Sequence, residues 1–272
     1  IAIFPDRNDW QKPFESFSGE AVFRNQFKDG LLKMYAAFDA SNFELTQQDI
    51  DFPDGLDFKL KNNNFYTNAS YSGSLGDSWK LDTGGSLTYS VSNIGLIDAQ
   101  INDTETSAHL KLKVRKRFSN QVKLSFGAEQ FLTDFSEDFS NPFIAATYGF
   151  DNNITAAFTE TDVVFTKNFA LKAGLRGEYS ALFKQFTISP RASVAYKVGA
   201  NSQLSLAYGD FYQQPQQEIL KFQQDLSAQH TQHFILNYQY VANNRIFRAE
   251  AYRKEYRSLI TFDTEADGFD NN

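Results

Sequence analysis

The stretch that decides the fold is ALKAGLRGEYSALF, at residues 170–183. Its apolar residues fall on one parity, at Leu171, Ala173, Leu175, Tyr179, Ala181 and Phe183. The other parity carries Lys172, Arg176, Glu178 and Ser180. Because successive side chains of a β-strand point to opposite faces, this period of two predicts a strand with one apolar and one charged face. The pattern recurs along the chain, so the fold depends on whether the apolar faces meet each other or lipid.

Composition excludes several classes of protein. The chain has 272 residues and contains no apolar run near the roughly 20 residues that a membrane-spanning helix needs. Its net charge of -7 argues against a nucleic-acid-binding protein, which would carry a basic face. The absence of cysteine excludes a disulfide framework and thiolate metal sites.

About a dozen alternating segments follow one another, separated by turn signals. Short turns are expected near residues 28–30, 76–78, 120, 167–169, 199–202 and 242–244. Longer polar stretches are expected near 46–58, 98–107, 140–153 and 216–232, the last with a helix candidate at 216–226. Short turns at one end and long loops at the other are typical of outer-membrane barrels. The segments run about 10–17 residues, enough for a tilted strand to cross the hydrocarbon layer.

A soluble β-sandwich also tolerates alternation, because its outer faces are wet. The apolar faces here contain many alanines beside Leu and Phe, and aromatic residues lie towards segment ends, as in interfacial girdles. These aromatic residues are Phe118, Phe183, Phe186, Tyr208, Phe211 and Tyr212. The sequence therefore favours an all-β, antiparallel up-and-down transmembrane β-barrel segment of about 12 strands. The Leu171 face would meet lipid, and the Lys172 face would line a polar lumen.

Three stretches carry a family resemblance. They are ALKAGLRGEYS at 170–180, ISPRASVAYKVGANSQLSLAYGDFYQQP at 188–215 and HFILNYQYVANNRIFRAEAYRKEYRSLITF at 233–262. Their Gly-Leu-Arg strand, Ser-Pro-Arg strand start, Tyr-Gly…Pro strand end and long final strand resemble the barrel of TonB-dependent outer-membrane receptors, in the style of Bacteroidetes members. The resemblance implies a 22-stranded barrel, an N-terminal plug domain and a short box that contacts TonB.

The chain departs from that pattern, since it shows no plug and no TonB box, and it ends in Asn271-Asn272 rather than in an aromatic residue. We therefore expect residues 1–272 to be a partial β-barrel domain that lacks the plug and the terminal strands. The expected location is the Gram-negative outer membrane. The expected partners are outer-membrane lipid and the TonB complex, which would be reached through a plug that this chain does not contain. A surface lipoprotein that acts as a lid is a further partner that the sequence does not decide.

Two sets of residues are candidates for ligand binding. The basic row Lys111, Lys113 and Arg115 could attract an anionic ligand, although a lumen wall that balances acidic neighbours such as Glu129 explains it equally simply and is the preferred interpretation. The apolar loop NPFIAATYGF, at 141–150, is expected to be external. Its Phe143, Tyr148 and Phe150 could stack on a sugar or siderophore, or pack against other loops or a partner.

Metal and catalytic sites receive little support. His230 and His233 have a spacing that could suggest a metal site, but with His109 they are interpreted as solvated loop histidines. The acidic stretch at 263–272, with Asp263, Asp267 and Asp270, could suggest calcium but lacks the spacing of a calcium loop and reads as an external loop. No cofactor is expected. No motif for a Ser-His or Asp-His pair is visible, so an enzyme is not expected.

The sequence thus predicts part of a receptor that imports a scarce or bulky ligand, such as a siderophore, cobalamin, glycan or peptide, with TonB-coupled energy. A cell-surface β-sandwich that serves as an adhesin or sugar-binding protein is the first alternative. A 12-stranded outer-membrane barrel enzyme is the second.

Overall fold

The computed structural model describes residues 7–263 and 268–271. Within them, twelve antiparallel strands form one sheet, and each strand pairs with its neighbours in chain order. The strands are β1 (Asn8–Gln26), β2 (Gly30–Gln47), β3 (Leu56–Leu75), β4 (Trp79–Leu96), β5 (Ala99–Arg117), β6 (Val122–Ser140), β7 (Ala145–Val164), β8 (Phe169–Ser180), β9 (Gln185–Lys197), β10 (Ser202–Gln213), β11 (Gln229–Ala242) and β12 (Arg245–Arg257). The predicted all-β, up-and-down antiparallel architecture is confirmed.

The connections differ between the two ends of the sheet. At one end, here called the turn end, short connections lie where the sequence predicted them, for instance at 27–29 and 243–244. The second of these uses Asn243 and Asn244, both with positive φ, as a two-residue hairpin turn requires. The other end, here called the loop end, carries the two longest connections, 48–55 and 214–228.

Two predicted long loops at the loop end are wrong. β4 turns directly into β5 through Ile97 and Asp98, so most of 98–107 is strand. Ile97 adopts a positive φ of 54°, which is rare for a β-branched residue, so the turn has no recognisable signature in the sequence. Of 140–153, only 141–144 is a connection, and the rest of that stretch after residue 144 belongs to β7. The outward positions of these strand ends, such as Asn102 and Thr104, are mostly polar, and therefore the strand ends show no clear apolar alternation.

The remaining elements are small. The predicted helix at 216–226 is only the single turn α1 (Gln217–Leu220). After β12, the strands β13 (Ile260–Asp263) and β14 (Gly268–Asn271) pair as a hairpin, which corrects the loop expected in this region. None of the helical segments among the described residues has the length and apolar content to cross a bilayer.

The register places the two predicted parities on opposite faces of the sheet. Residues paired across antiparallel strands share a face, and Leu175 pairs with Thr159 and Pro190, whereas Arg176 pairs with Phe158 and Ser189. The Arg176 guanidinium on β8 reaches Glu129 on β6, across the intervening strand β7. Side chains two strands apart converge only on the concave side of a curved sheet. The charged face is therefore the inner face, and the Leu175 face is the outer face.

The outer face carries an apolar belt. On β5 the belt runs through Leu110, Leu112 and Val114, and Leu110 and Leu112 are exposed. Towards the loop end the outward positions of β5 become Thr104 and Asn102, which are polar. An apolar band of limited height bounded by polar residues is the outer surface of a transmembrane barrel. The strand ends beyond the belt stand outside the bilayer.

One predicted girdle residue does not belong to the outer face. Phe211 points inward on β10, where the Arg191 guanidinium lies 4.6 Å from its ring centroid. Phe186 and Tyr208 do share the outward parity of β9 and β10. Pro190, which also faces outward, lies where the β9–β10 ladder ends at Arg191, so its missing amide hydrogen costs little.

Candidate functional site

The inner wall contains a charge network centred on Glu129. Lys111 Nζ lies 2.5 Å from Glu129 Oε1, and Arg176 forms an ion pair with the other carboxylate oxygen. Arg176 also donates to Glu178 at 2.8 Å, and the Glu129 side chain is only 7% exposed. The structure thus contains the ion pair that the balanced-wall interpretation predicts for Lys111.

The rest of the predicted basic row lines the same face nearer the turn end. Lys113 pairs in register with Asp82 of β4. Arg115 Nε donates a weak hydrogen bond of 3.4 Å to Ser125 Oγ of β6. The row is therefore part of the inner wall, where its role in binding an anionic ligand remains a prediction.

The β10–β11 loop (residues 214–228) folds inward over this wall at the loop end. Lys221 Nζ lies 2.5 Å from Glu137 Oε2 on β6, and the two side chains are 17% and 7% exposed. Gln224 Nε2 donates to the carbonyl oxygen of Gly149 on β7 at 2.9 Å. Gln214 accepts a hydrogen bond from Asn152 Nδ2 at 2.5 Å. The loop is thus attached to strands that lie three and more positions away in the sheet.

The three predicted aromatic residues separate from one another. Phe143 is at the tip of the 141–144 connection and is 92% exposed. Tyr148 and Phe150 are not in a loop but in β7, where their inward side chains pack on Phe222 of the β10–β11 loop and on Phe135 of β6, respectively. Of the three, Tyr148 contacts an aromatic residue of the inward-folded loop. A ligand contact for any of them remains a prediction.

Beneath the loop, one row of polar side chains crosses five strands. The row reads Asn62, Ser92, Asp103, Glu137 and Tyr148, each directly paired with the next. On the loop-end side of this row the inner face is apolar, with Leu60, Ile94 and Ile101 in register. We call the five polar residues the acidic row. Three of them, Ser92, Asp103 and Glu137, line a cavity of about 230 Å³ between the loop and the wall, together with Lys221.

Two carboxylates of the acidic row face each other directly. Asp103 of β5 pairs in register with Glu137 of β6, and both lie beyond the apolar belt. Burial, and then the neighbouring Glu137 charge, raise the pKa of Asp103 to about 6. Lys221 opposes this shift from the other side. A pKa this close to neutrality indicates that the cations near Asp103 compensate the charge of its ionised carboxylate only poorly.

The raised pKa of Asp103 predicts that folding is stabilised by mild acid. A group whose pKa is higher in the folded state contributes most stability below its unfolded value and loses that contribution as the pH rises towards 6. We expect thermal unfolding of the purified protein to occur a few degrees higher at pH 5 than at pH 7.5. Asp103→Asn should remove this difference by stabilising the protein at pH 7.5. A difference that persists unchanged in Asp103→Asn would contradict the assignment.

The histidines are not solvated loop residues, which corrects that expectation. His109 lies in β5 and stacks on Phe131 with ring centroids 4.1 Å apart. His230 and His233 both lie in β11, on opposite faces because they are three residues apart. His230 Nε2 is 3.2 Å from Asp210 Oδ1 on the outer face, and His233 contacts Phe211 on the inner face. These two side chains therefore cannot bind one metal ion.

Metal-ligand geometry is absent from the part of the chain that the structure describes. No group of three or more His, Asp and Glu side chains there could hold a metal ion. Of the three aspartates of the calcium alternative, Asp267 lies outside the described residues, which omit 264–267, and Asp263 and Asp270 lie in β13 and β14.

Sequence reasoning missed the acidic row and Lys221. Asp103 and Glu105 fall in the stretch that was predicted as a loop, and Glu137 pairs with Asp103 only once β5 and β6 are aligned over their full length. Lys221 contacts Glu137 across 84 residues of sequence. The one usable signal was the alternation of Asp103 and Glu105 with threonines in Asp-Thr-Glu-Thr, a period of two that continues the strand.

Comparison with known proteins gives a family match over nearly the whole chain. The family described as "TonB dependent receptor-like, beta-barrel" matches residues 4–272. No curated protein is significantly similar to the chain.

Solved structures share the fold. The alcaligin outer-membrane receptor FauA of Bordetella pertussis is 10% identical with a TM-score of 0.72, over 95% of this chain and 47% of that one. The outer-membrane transporter YddB of Escherichia coli is 12% identical with a TM-score of 0.75, over 95% and 43%. The RagAB peptide transporter is 8% identical with a TM-score of 0.72, over 95% and 42%. The chain therefore spans less than half the length of these structures.

Proposed function

The chain belongs to the family of TonB-dependent receptor-like β-barrels of Gram-negative outer membranes. From this premise we propose that it forms part of a receptor that captures a ligand outside the cell and imports it with TonB-coupled energy. The receptor would act on a ligand too large or too scarce for passive diffusion. The chain would supply half or more of the barrel wall and at least one ligand-contacting loop.

The observation that carries the proposal is the inward fold of the β10–β11 loop. A passive pore needs an open lumen, whereas this loop crosses the inner wall and is held there by Lys221 on Glu137 and by Gln224 on Gly149. These attachments lie at the loop end, outside the bilayer. A loop that folds inward at this end is placed to contact a ligand that arrives from outside the cell.

The charged inner wall supports the same proposal. The Glu129 network of Lys111 and Arg176 lies deep in the barrel segment and presents hydrogen-bonding groups to the interior. We propose that this wall packs against a plug domain, which would couple the barrel to the TonB complex. Within the described residues β1 and β12 do not pair with each other, and a bilayer tolerates no open sheet edge. Further strands would therefore close the barrel in the complete receptor.

Ligand class is not decided by the neighbours. Their names specify alcaligin, a peptide and, for the transporter OprC, copper. A siderophore, cobalamin, glycan or peptide is therefore proposed only as the set of substrates to test. A surface lipoprotein lid is a further proposal. The adhesin and enzyme alternatives gain no feature from the described residues, where the inner polar groups form ion pairs rather than a nucleophile with its base.

Energised uptake tests the proposal. Cells with and without the full-length protein are incubated with a tryptic peptone, a glycan digest, cobalamin and a panel of ferric siderophores, and depletion of each component from the medium is followed by mass spectrometry. We expect at least one component to be depleted only by cells that contain the protein, and only while the proton gradient is intact. Depletion that survives an uncoupler, or no protein-dependent depletion, would contradict energised import.

A further inference from the structure

We infer that the cavity between the β10–β11 loop and the acidic row binds a cationic group of the imported ligand, a primary ammonium or a guanidinium, and that the Lys221 ammonium competes for the same place. This inference rests on the proposed import function and adds the chemical class of the ligand to it.

The charges around the cavity do not balance. Asp103, Glu105, Glu137 and Glu218 line it, and Lys221 is the one cation among the described lining residues. Asp103 and Glu137 face each other in register, and like charges directly opposite across a strand pair destabilise a sheet. Lys221 lies 2.5 Å from Glu137, so one ammonium serves two opposed carboxylates. A second cationic group would find an attractive position beside Asp103.

The unpaired atoms of the acidic row are acceptors. Asp103 Oδ1 and Asn62 Oδ1 are both buried and both lack a hydrogen-bond partner. They lie in the same cross-strand row, separated by Ser92. Of the two residues, Asp103 lines the cavity, and its buried Oδ1 without a partner costs free energy that a ligand there recovers by donating to it. Ammonium and guanidinium groups only donate, with three and five N–H bonds respectively, so they match acceptors of this kind.

The cavity has room for one side-chain-sized group rather than a whole ligand. Its volume is about 230 Å³. Phe135 forms part of the lining, and Phe222 follows Lys221 in the loop, with its ring 4.9 Å from the Lys221 ammonium. Aromatic faces attract cations as well as apolar stems. The site is therefore suited to a lysine-like or arginine-like arm of a larger molecule.

The cation that occupies the cavity, the Lys221 ammonium, belongs to a loop. Lys221 directly follows the single helical turn α1, whereas the carboxylates it meets lie on strands of the continuous sheet. A ligand cation that takes over the contact with Glu137 would release Lys221 and with it an attachment of the loop to the wall. Exchange of one cation for another keeps Glu137 paired, so the buried carboxylate is not left alone at any stage.

Binding of a defined peptide tests the inference. The full-length protein in detergent is titrated with a trilysine peptide and with the same peptide fully acetylated on its amines, under constant ionic strength. We expect the wild-type protein to bind trilysine about tenfold more tightly, because acetylation removes the charge-assisted hydrogen bonds. Asp103→Asn and Glu137→Gln should each abolish this preference. Lys221→Met should strengthen trilysine binding several-fold, because the internal competitor is lost.

A matched control variant separates a local from a general charge effect. Lys172→Met removes an inner-wall lysine that pairs with Glu160 at 2.9 Å, away from the cavity. It should leave trilysine binding unchanged. Equal binding of both peptides by the wild-type protein would overturn the inference, as would weaker trilysine binding by Lys221→Met. Either result leaves the energised-uptake experiment unaffected, so the two proposals fail independently.

Discussion

Leu175→Arg is expected to destabilise the barrel by about 2–4 kcal/mol in a bilayer. Leu175 is the central outward residue of β8, with Leu171 and Ala173 towards the turn end and Gly177 and Tyr179 towards the loop end. An arginine at this depth places a cation in hydrocarbon, where no water hydrates it. In a soluble protein the same half-exposed leucine would tolerate the change, since surface substitutions usually cost less than about 0.5 kcal/mol. Urea unfolding of the full-length protein in lipid vesicles measures the difference.

Thr187→Arg is the matched control for Leu175→Arg. Thr187 lies on the neighbouring strand β9 and faces inward, directly paired with Glu178. An arginine there meets a carboxylate and a polar wall, so we expect a change within about 0.5 kcal/mol. Two equal and small changes would indicate that the Leu175 face is not in lipid.

Glu129→Gln is expected to cost about 2–3 kcal/mol of folding free energy, because it leaves two cations of the inner wall without their shared carboxylate. Lys111 and Arg176 both contact Glu129, which is 7% exposed and therefore poorly hydrated. Arg176 retains Glu178, whereas Lys111 loses the carboxylate with which it forms an ion pair. Chemical unfolding of the variant in lipid vesicles gives the value.

A double variant tests whether the loss is electrostatic. Lys111→Met removes the cation that Glu129→Gln leaves unpaired, so the two changes together should cost less than their sum by about 1 kcal/mol or more. Glu160→Gln serves as the exposed counterpart, since its pair with Lys172 is solvated, and it should cost less than about 1 kcal/mol. Strict additivity of Glu129→Gln and Lys111→Met would contradict the network.

The parity of side chains was predictable because it depends on local physics. The strand at 170–180 and the basic row at Lys111, Lys113 and Arg115 alternate strictly, and the structure places their charged residues on one continuous inner face. A strand buried on one side only must keep this period along its whole length. The short turns at 27–29 and 243–244 were found for the same reason, because they carry Asp-Gly and Asn-Asn signals.

The loop end was harder to predict because its strands leave the bilayer there. Beyond the apolar belt the outward positions of these strands, such as Thr104 on β5 and Asp134 on β6, are polar, so the outer face has no apolar period there. The turn at Ile97 lacks the residue types that normally adopt positive φ. The contact of Lys221 with Glu137 depends on tertiary folding of a loop, which no local pattern encodes. The candidate site therefore emerged only from the aligned sheet.

The most direct test of the account is which face of β5 meets lipid. Residues 1–272 contain no cysteine, so cysteine variants at Leu112 and Lys113 can each carry one nitroxide label in the full-length protein in vesicles, with any cysteine elsewhere replaced by serine. Oxygen concentrates in hydrocarbon, and a paramagnetic nickel chelate stays in water. We predict that the label at residue 112 relaxes faster with oxygen and the label at residue 113 faster with the chelate. The reverse order, or a residue 112 label shielded from both reagents as in a packed sandwich core, would contradict the barrel and the import function built on it.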